Sequence, residues 1–85
     1  MLDQSKSPVV VVEDDAGMRK ALDRLLRAAG FQCELFSSAE AFLGSEAVNV
    51  AACLVLDIHL PGLSGFDLRR RLTELGHRQP VIFIT

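Results

Sequence analysis

The chain has 85 residues, a formal charge of −2 and 49% hydrophobic residues, with no tryptophan or tyrosine. A chain this short forms one domain at most and buries only about two thirds of its unfolded surface, so its stability should be marginal. Its basic residues are scattered rather than striped, which argues against direct nucleic-acid binding, and no apolar run approaches the roughly 20 residues of a membrane span.

The start, "MLDQSKSPVVVV", sets Lys6 before a short apolar run with acids behind it, a pattern unlike a signal peptide. The expected location is therefore the cytoplasm. Residues 1–7 are polar and expected to be disordered, with a folded unit over 8–85. "PVVVV", Pro8 to Val12, is β-branched and uncharged, as suits a strand buried on both faces. After "EDDAG", Met18, Leu22, Leu25, Leu26 and Ala29 recur at helical spacing. Arg19, Lys20, Asp23, Arg24 and Arg27 fall on the other side, and Gly30 stands where a left-handed residue would end the helix.

"FQCELF" alternates, with Phe31, Cys33 and Leu35 on one face, and predicts a second strand nearer a sheet edge. Ser37 precedes Glu40 by three residues, the spacing of a capping box, and opens a short helix through Leu43. "AACLVLD", Ala51 to Asp57, is a third apolar strand. A turn with Pro61, Gly62 and Gly65 follows. Then Leu68, Leu72 and Leu75 form one face of a helix that Gly76 ends, with Arg69, Arg70 and Arg71 mostly outside and Phe66 off the stripe. "PVIFIT", Pro80 to Thr85, is a fourth strand. Cys33 and Cys53 both fall inside strands and are expected to be small buried hydrophobes with reduced thiols.

Strands alternating with helices, and apolar on both faces, predict an α/β fold with a parallel sheet covered on each side. Such sheets bind ligands beyond the carboxyl ends of their strands, where the strand order reverses. The first strand runs into Glu13, Asp14 and Asp15, and the third into Asp57. If the two are neighbours, their carboxylates converge at one rim and repel unless a cation sits among them or one takes a proton. Oxygen ligands without cysteine or histidine select a hard ion, and Mg2+ is the usual choice where phosphate is handled. Each motif has a plainer reading, acids favoured at a helix N-terminus for "EDD" and a turn cap for Asp57. Their coincidence on one rim favours a metal site. Thr85 brings a hydroxyl to the same rim, and acid, metal and hydroxyl together suit phosphoryl transfer onto a carboxylate.

In this order and spacing, "VVVVEDDAGMRKAL", "LVLDIHLPGLSG" and "PVIFIT" resemble the receiver domains of two-component response regulators, the CheY-like superfamily. "AGFQCELFSSAEAFL" narrows the likeness to the FixJ-type subgroup. The resemblance implies a flavodoxin-like, doubly wound parallel sheet of strand order 2-1-3-4. The family's fifth strand and last two helices would be missing after Thr85, leaving residues 8–85 as a partial receiver domain. It implies that Asp57 is the phosphoacceptor for a sensor histidine kinase and that Thr85 is the switch hydroxyl. Mg2+ would be held by Asp14 and Asp57 directly, by Glu13 through water and by the main-chain carbonyl of His59. Pro61 and Gly65 would shape the turn, and Asp15 would be peripheral or cap the helix. Such a domain is no enzyme beyond its own phosphorylation and slow dephosphorylation. It switches shape to control an output, usually transcription through a downstream helix-turn-helix DNA-binding domain that this chain does not contain.

The family carries an essential lysine on its fifth strand, and neither Lys6, Lys20 nor any arginine sits at a strand end in its place. A truncated chain would lack that countercharge, add a terminal carboxylate beside the site, and expose the fourth-strand edge to strand-to-strand association. A homo-oligomer or a weakly stable fragment is the expectation. The alternative function is a degenerate or truncated receiver serving only as a protein–protein interaction module. An aspartate-nucleophile phosphatase would need a second acid two residues past Asp57, where His59 stands instead.

Overall fold

The structure, a computed structural model, describes residues 7–85. The disorder expected of residues 1–7 therefore concerns, apart from Ser7, residues outside that range. The elements run β1 (Val9–Val12), α1 (Ala16–Ala28), β2 (Cys33–Phe36), α2 (Ala39–Leu43), α3 (Ala47–Val50), β3 (Cys53–Asp57), α4 (Gly65–Glu74) and β4 (Val81–Ile84). The four strands form one parallel sheet in the order β2-β1-β3-β4. From β1 the chain moves outward one way to β2, then crosses back to β3 on the other side. The strand order thus reverses between β1 and β3, and their carboxyl ends lie side by side.

The two faces of the sheet are covered unequally. Val10, Val12, Leu54 and Leu56 point to one side, where Phe42, Ala47, Val48, Leu68 and Leu72 from α2, α3 and α4 close a continuous core. Phe42 is wholly buried and stacks at a tilt on Phe36, 5.5 Å between ring centres. On the other side Val9, Val11 and Val55 meet α1 alone, through Leu22 and Leu26. One helix cannot cover that face, so the expected stripe is only half used. Met18 and Leu25 stay 45% and 66% exposed.

Both long helices stop as their glycines predict. Gly30 (φ 96°) and Gly76 (φ 87°) take the left-handed turn that L side chains resist. The N–H groups of Gly30 and Phe31 donate to the carbonyls of Arg27 and Leu26, and those of Gly76 and His77 to Thr73 and Leu72. This paired closure satisfies carbonyls that a helix end would otherwise leave open. It also spends Phe31 on the end of α1, so β2 begins at Cys33 rather than at Phe31 as expected. Leu75, expected on the buried stripe of α4, lies on the closing turn and is 58% exposed. Phe66, which had no place on that stripe, leans on Phe83 of β4 at 4.8 Å.

Two further details depart from expectation. The N-cap of α2 is Ser38, whose hydroxyl accepts from Ala41 N, so the Ser37–Glu40 capping box does not form. The short helix α3 was not foreshadowed by periodicity. Ser45 starts it, donating to Phe42 O and accepting from Ala47 N. Cys33 is buried, Cys53 half-buried, and both are free thiols, with burial pushing the Cys33 thiol pKa up.

Candidate functional site

Register places the acids. Val12 of β1 stands opposite Leu56 of β3, and the next residues along are Glu13 and Asp57. Asp57 closes β3 on the buried side of the rim, and Glu13 is buried beside it at 6% exposure, against 7% for Asp57. Asp14 is exposed. One carboxylate oxygen from each of Glu13, Asp14 and Asp57 lies within 4.8 Å of the others. Among the described residues this is the one such cluster of potential metal ligands.

Hydrogen bonds hold the backbone around these acids. Glu13 N donates to Phe36 O at 3.0 Å, which ties the strand end to β2. One Glu13 oxygen accepts from Asp15 N at 3.0 Å. Asp15 caps α1 by accepting from Met18 N at 2.7 Å, so this acid serves the helix, one of the two roles expected for it. Asp57 Oδ1 accepts from His59 N at 2.9 Å, which fixes the carboxylate in the first step of the turn. Asp57 thus does cap the turn, but α4 itself is capped by Ser64, which accepts from Asp67 N. The turn cap and the acid cluster use the same carboxylate.

The electrostatics match the crowding. Burial pushes the Glu13 carboxyl above the ordinary glutamate range, the Asp15 N–H opposes this, and the nearby carboxylates of Asp57 and then Asp14 push it further up. Close like charges in a partly buried rim favour either a shared proton or a cation. The donor set is oxygen only, which fits Mg2+ and not a soft metal.

The turn after Asp57 is shaped by close approach. Gly65 begins α4 against the end of β3, and its N–H donates to Ile58 O. A Cβ there would collide with the carbonyl oxygen of Asp57. Glu40 of α2, freed from the expected capping box, reaches across instead, and its Oε2 accepts from Leu63 N at 3.2 Å. Thr85 follows Ile84, which stands opposite Asp57 in register, and Ile84 O accepts from Ile58 N at 2.9 Å. That residue is therefore carried to the same rim. The His59 imidazole is exposed, and its backbone N–H is engaged by Asp57. A cavity of about 220 Å³ lies between α4, β3 and β4, lined by Leu54, Arg69, Leu72, Thr73, His77 and others. None of the acids lines it.

Arg19 was placed by helical spacing on the outer side of α1. The structure turns it back to the acids, with Nη1 donating to Glu13 O at 2.8 Å and to Asp14 O at 3.3 Å. An arginine six residues past the first acid, one turn into a helix, was the available signal. Helical side chains point toward the N-terminus, so this one can reach the preceding loop.

The profile of the response regulator receiver domain family matches residues 9–85. The chain belongs to the response regulator receiver domain family. Nodulation protein W of Bradyrhizobium diazoefficiens is 47% identical over 95% of this chain and 36% of its own length. The response regulator protein TmoT of Ectopseudomonas mendocina is 39% identical over 99% of the chain and 38% of its length. Among solved structures, the response regulator StyR superposes with a TM-score of 0.88 at 43% identity, covering 95% of this chain and 41% of that one. FixJ-N does so at 0.85 and 38%, covering 100% of this chain and 66% of that one. The receiver chain thus spans less than two fifths of the length of these two curated relatives. The predicted strand order 2-1-3-4 is the observed one. Among the described residues, no helix is long and apolar enough to cross a membrane.

Proposed function

We propose that this receiver domain is a phosphoacceptor switch that takes a phosphoryl group from a sensor histidine kinase onto Asp57. The observation that carries this reading is the meeting of Glu13, Asp14 and Asp57 within 4.8 Å at the tips of β1 and β3. Asp14 and Asp57 would hold Mg2+ directly, with Glu13 acting through water and the His59 carbonyl completing the protein's share. Bound there, the ion offsets the negative charge of an incoming phosphoryl group.

The chain's own residues supply the rest. The His59 N–H holds Asp57 Oδ1 in place, which orients the carboxylate for in-line attack. A carboxylate oxygen of Asp57 attacks phosphorus while the bond between phosphorus and the donor's imidazole nitrogen breaks. The product is an aspartyl phosphate, and the imidazole, protonated on its other nitrogen before transfer, leaves as a neutral histidine on the kinase. Thr85, at the same rim, would turn its hydroxyl toward a phosphoryl oxygen, and that movement would be the signal. Asp14 and His59 are exposed at this rim, which suits a donor that is itself a protein surface. The output would be transcriptional, through a helix-turn-helix domain in the full-length protein, and the setting would be the cytoplasm. A second copy of the chain would pair along the β4 edge, where Ile82 is 55% exposed. Sedimentation at increasing concentration checks this, with a persistent monomer counting against it.

Incubation with a small phosphodonor and Mg2+, read by intact mass, tests the central step. A gain of one phosphoryl group that is lost with chelator, and in Asp57→Asn, supports the switch. No gain at any donor concentration supports instead a domain that acts by interaction alone.

A further inference from the structure

We infer that Arg19 is a positioning residue for the metal site, clamping the two peptide units on either side of Asp14. This inference rests on the proposed function, because it assigns how one of the proposed ligands is aimed. Arg19 Nη1 donates to the carbonyls of both Glu13 and Asp14. These are the carbonyls immediately before and after the Asp14 α-carbon. Holding both restricts the two backbone torsions that set where the Asp14 side chain points.

Asp14 needs this help more than its neighbours. The Glu13 carboxylate is tied to Asp15 N, Asp15 to Met18 N, and Asp57 to His59 N. Among the described residues no N–H reaches the Asp14 carboxylate, and Asp14 is exposed where Glu13 and Asp57 are buried. Its aim therefore leans on its backbone, and Arg19 holds the carbonyls on both sides of it. The arginine is itself half-buried and anchored one turn into α1, so the clamp moves with the helix. A guanidinium suits the task because the two N–H groups of Nη1 lie in a fixed plane, whereas those of an ammonium rotate freely.

Charge and position predict opposite signs. A cation beside a cation site repels the ion, so deleting Arg19 as a mere charge should tighten Mg2+ binding. Deleting it as a clamp should weaken binding, and removal of a group that orients a ligand typically costs about tenfold or more in metal affinity. The test is calorimetric titration of MgCl2 into the wild-type chain, Arg19→Gln and Arg19→Lys. Amide hydrogen exchange of the metal-free proteins runs alongside it.

The expected result is about tenfold weaker binding in Arg19→Gln and a smaller loss in Arg19→Lys. Exchange at Asp15 should be faster in both, with Val11 unchanged. Wild-type-like or tighter binding in Arg19→Gln, with unaltered exchange at Asp15, overturns the clamp. If Arg19→Gln does not fold, Arg19→Lys decides, and undiminished affinity there overturns it equally. A wild-type chain that ignores Mg2+ sinks the metal reading itself, which is distinguishable from variants that bind as well as wild type.

Discussion

The β1–α1 loop, residues 13–15, is short: Glu13 N ties its first residue to Phe36 O on β2, and the rest is braced from nearby, by the Asp15 cap and by Arg19 of the adjoining helix. The β3–α4 loop, residues 58–64, is longer and leans on distant groups: Ile84 O on β4 and Glu40 on α2, the latter 23 residues away in sequence. Beyond Glu13, the first acid loop is thus held locally, whereas the second is held by tertiary contacts on both sides. The difference predicts that damage to the main core should disturb Asp57 more than Asp14, whose own peptide units are held by Arg19.

The strongest way to break the symmetry is Phe42→Ala. Phe42 is fully buried and seats α2, so its loss costs about 3–5 kcal/mol and releases Glu40 from the β3–α4 loop. Chemical denaturation should show that loss, and any folded fraction should exchange faster at Leu63 than at Asp15. Gly65→Ala comes next. Its Cβ meets the Asp57 carbonyl, so β3 and α4 must separate, at about 1–3 kcal/mol and with slower phosphoryl uptake by Asp57. An alanine variant as stable as wild type would show that the close approach is dispensable.

Glu40→Ala should have a smaller effect, about 0.5–1.5 kcal/mol by thermal melting, because the bond it removes is exposed. Its informative readout is local, with faster exchange at Leu63 and none of the change at Asp15 that Arg19 variants should give. The smallest expected effect is on pH. The Glu13 carboxyl is raised by burial and by Asp57 and Asp14, so over the pH range between its unfolded and folded values the folded protein binds more of that proton than the unfolded chain does. The stability linked to it is full below the ordinary glutamate range and is lost as pH rises through the folded value. Metal-free protein melted across mildly acidic to neutral pH should therefore lose stability as pH increases, and Glu13→Gln should flatten that dependence.

The same contrast explains what could be read from the sequence. Four strands, their parallel arrangement and the two glycine-ended helices follow from local patterns, since β-branched runs and αL glycines act over a few residues. The acids at the rim are legible for the same reason, Glu13 and Asp57 each being the first polar residue after an apolar run and Asp14 following Glu13 directly. What escaped depended on distance. Ser38 rather than Ser37 caps α2, and Glu40 serves the far loop, because that carboxylate finds Leu63 N only after the sheet has assembled. Arg19 looked like solvent-facing charge because periodicity assigns a face but not the reach of a long side chain. Leu25 and Met18 looked like core because a helical stripe does not reveal how much covers it.

Titration of Mg2+ into the isotope-labelled protein, followed by amide NMR, tests the shared cation site most directly. One saturable process should move the Glu13, Asp14, Asp15 and His59 signals together, His59 responding because its N–H holds Asp57 Oδ1. Asp14→Asn should weaken it sharply. Signals at the tips of β1 and β3 that stay still, or a saturable response centred elsewhere in the fold, would contradict the claim that these three carboxylates form one cation site.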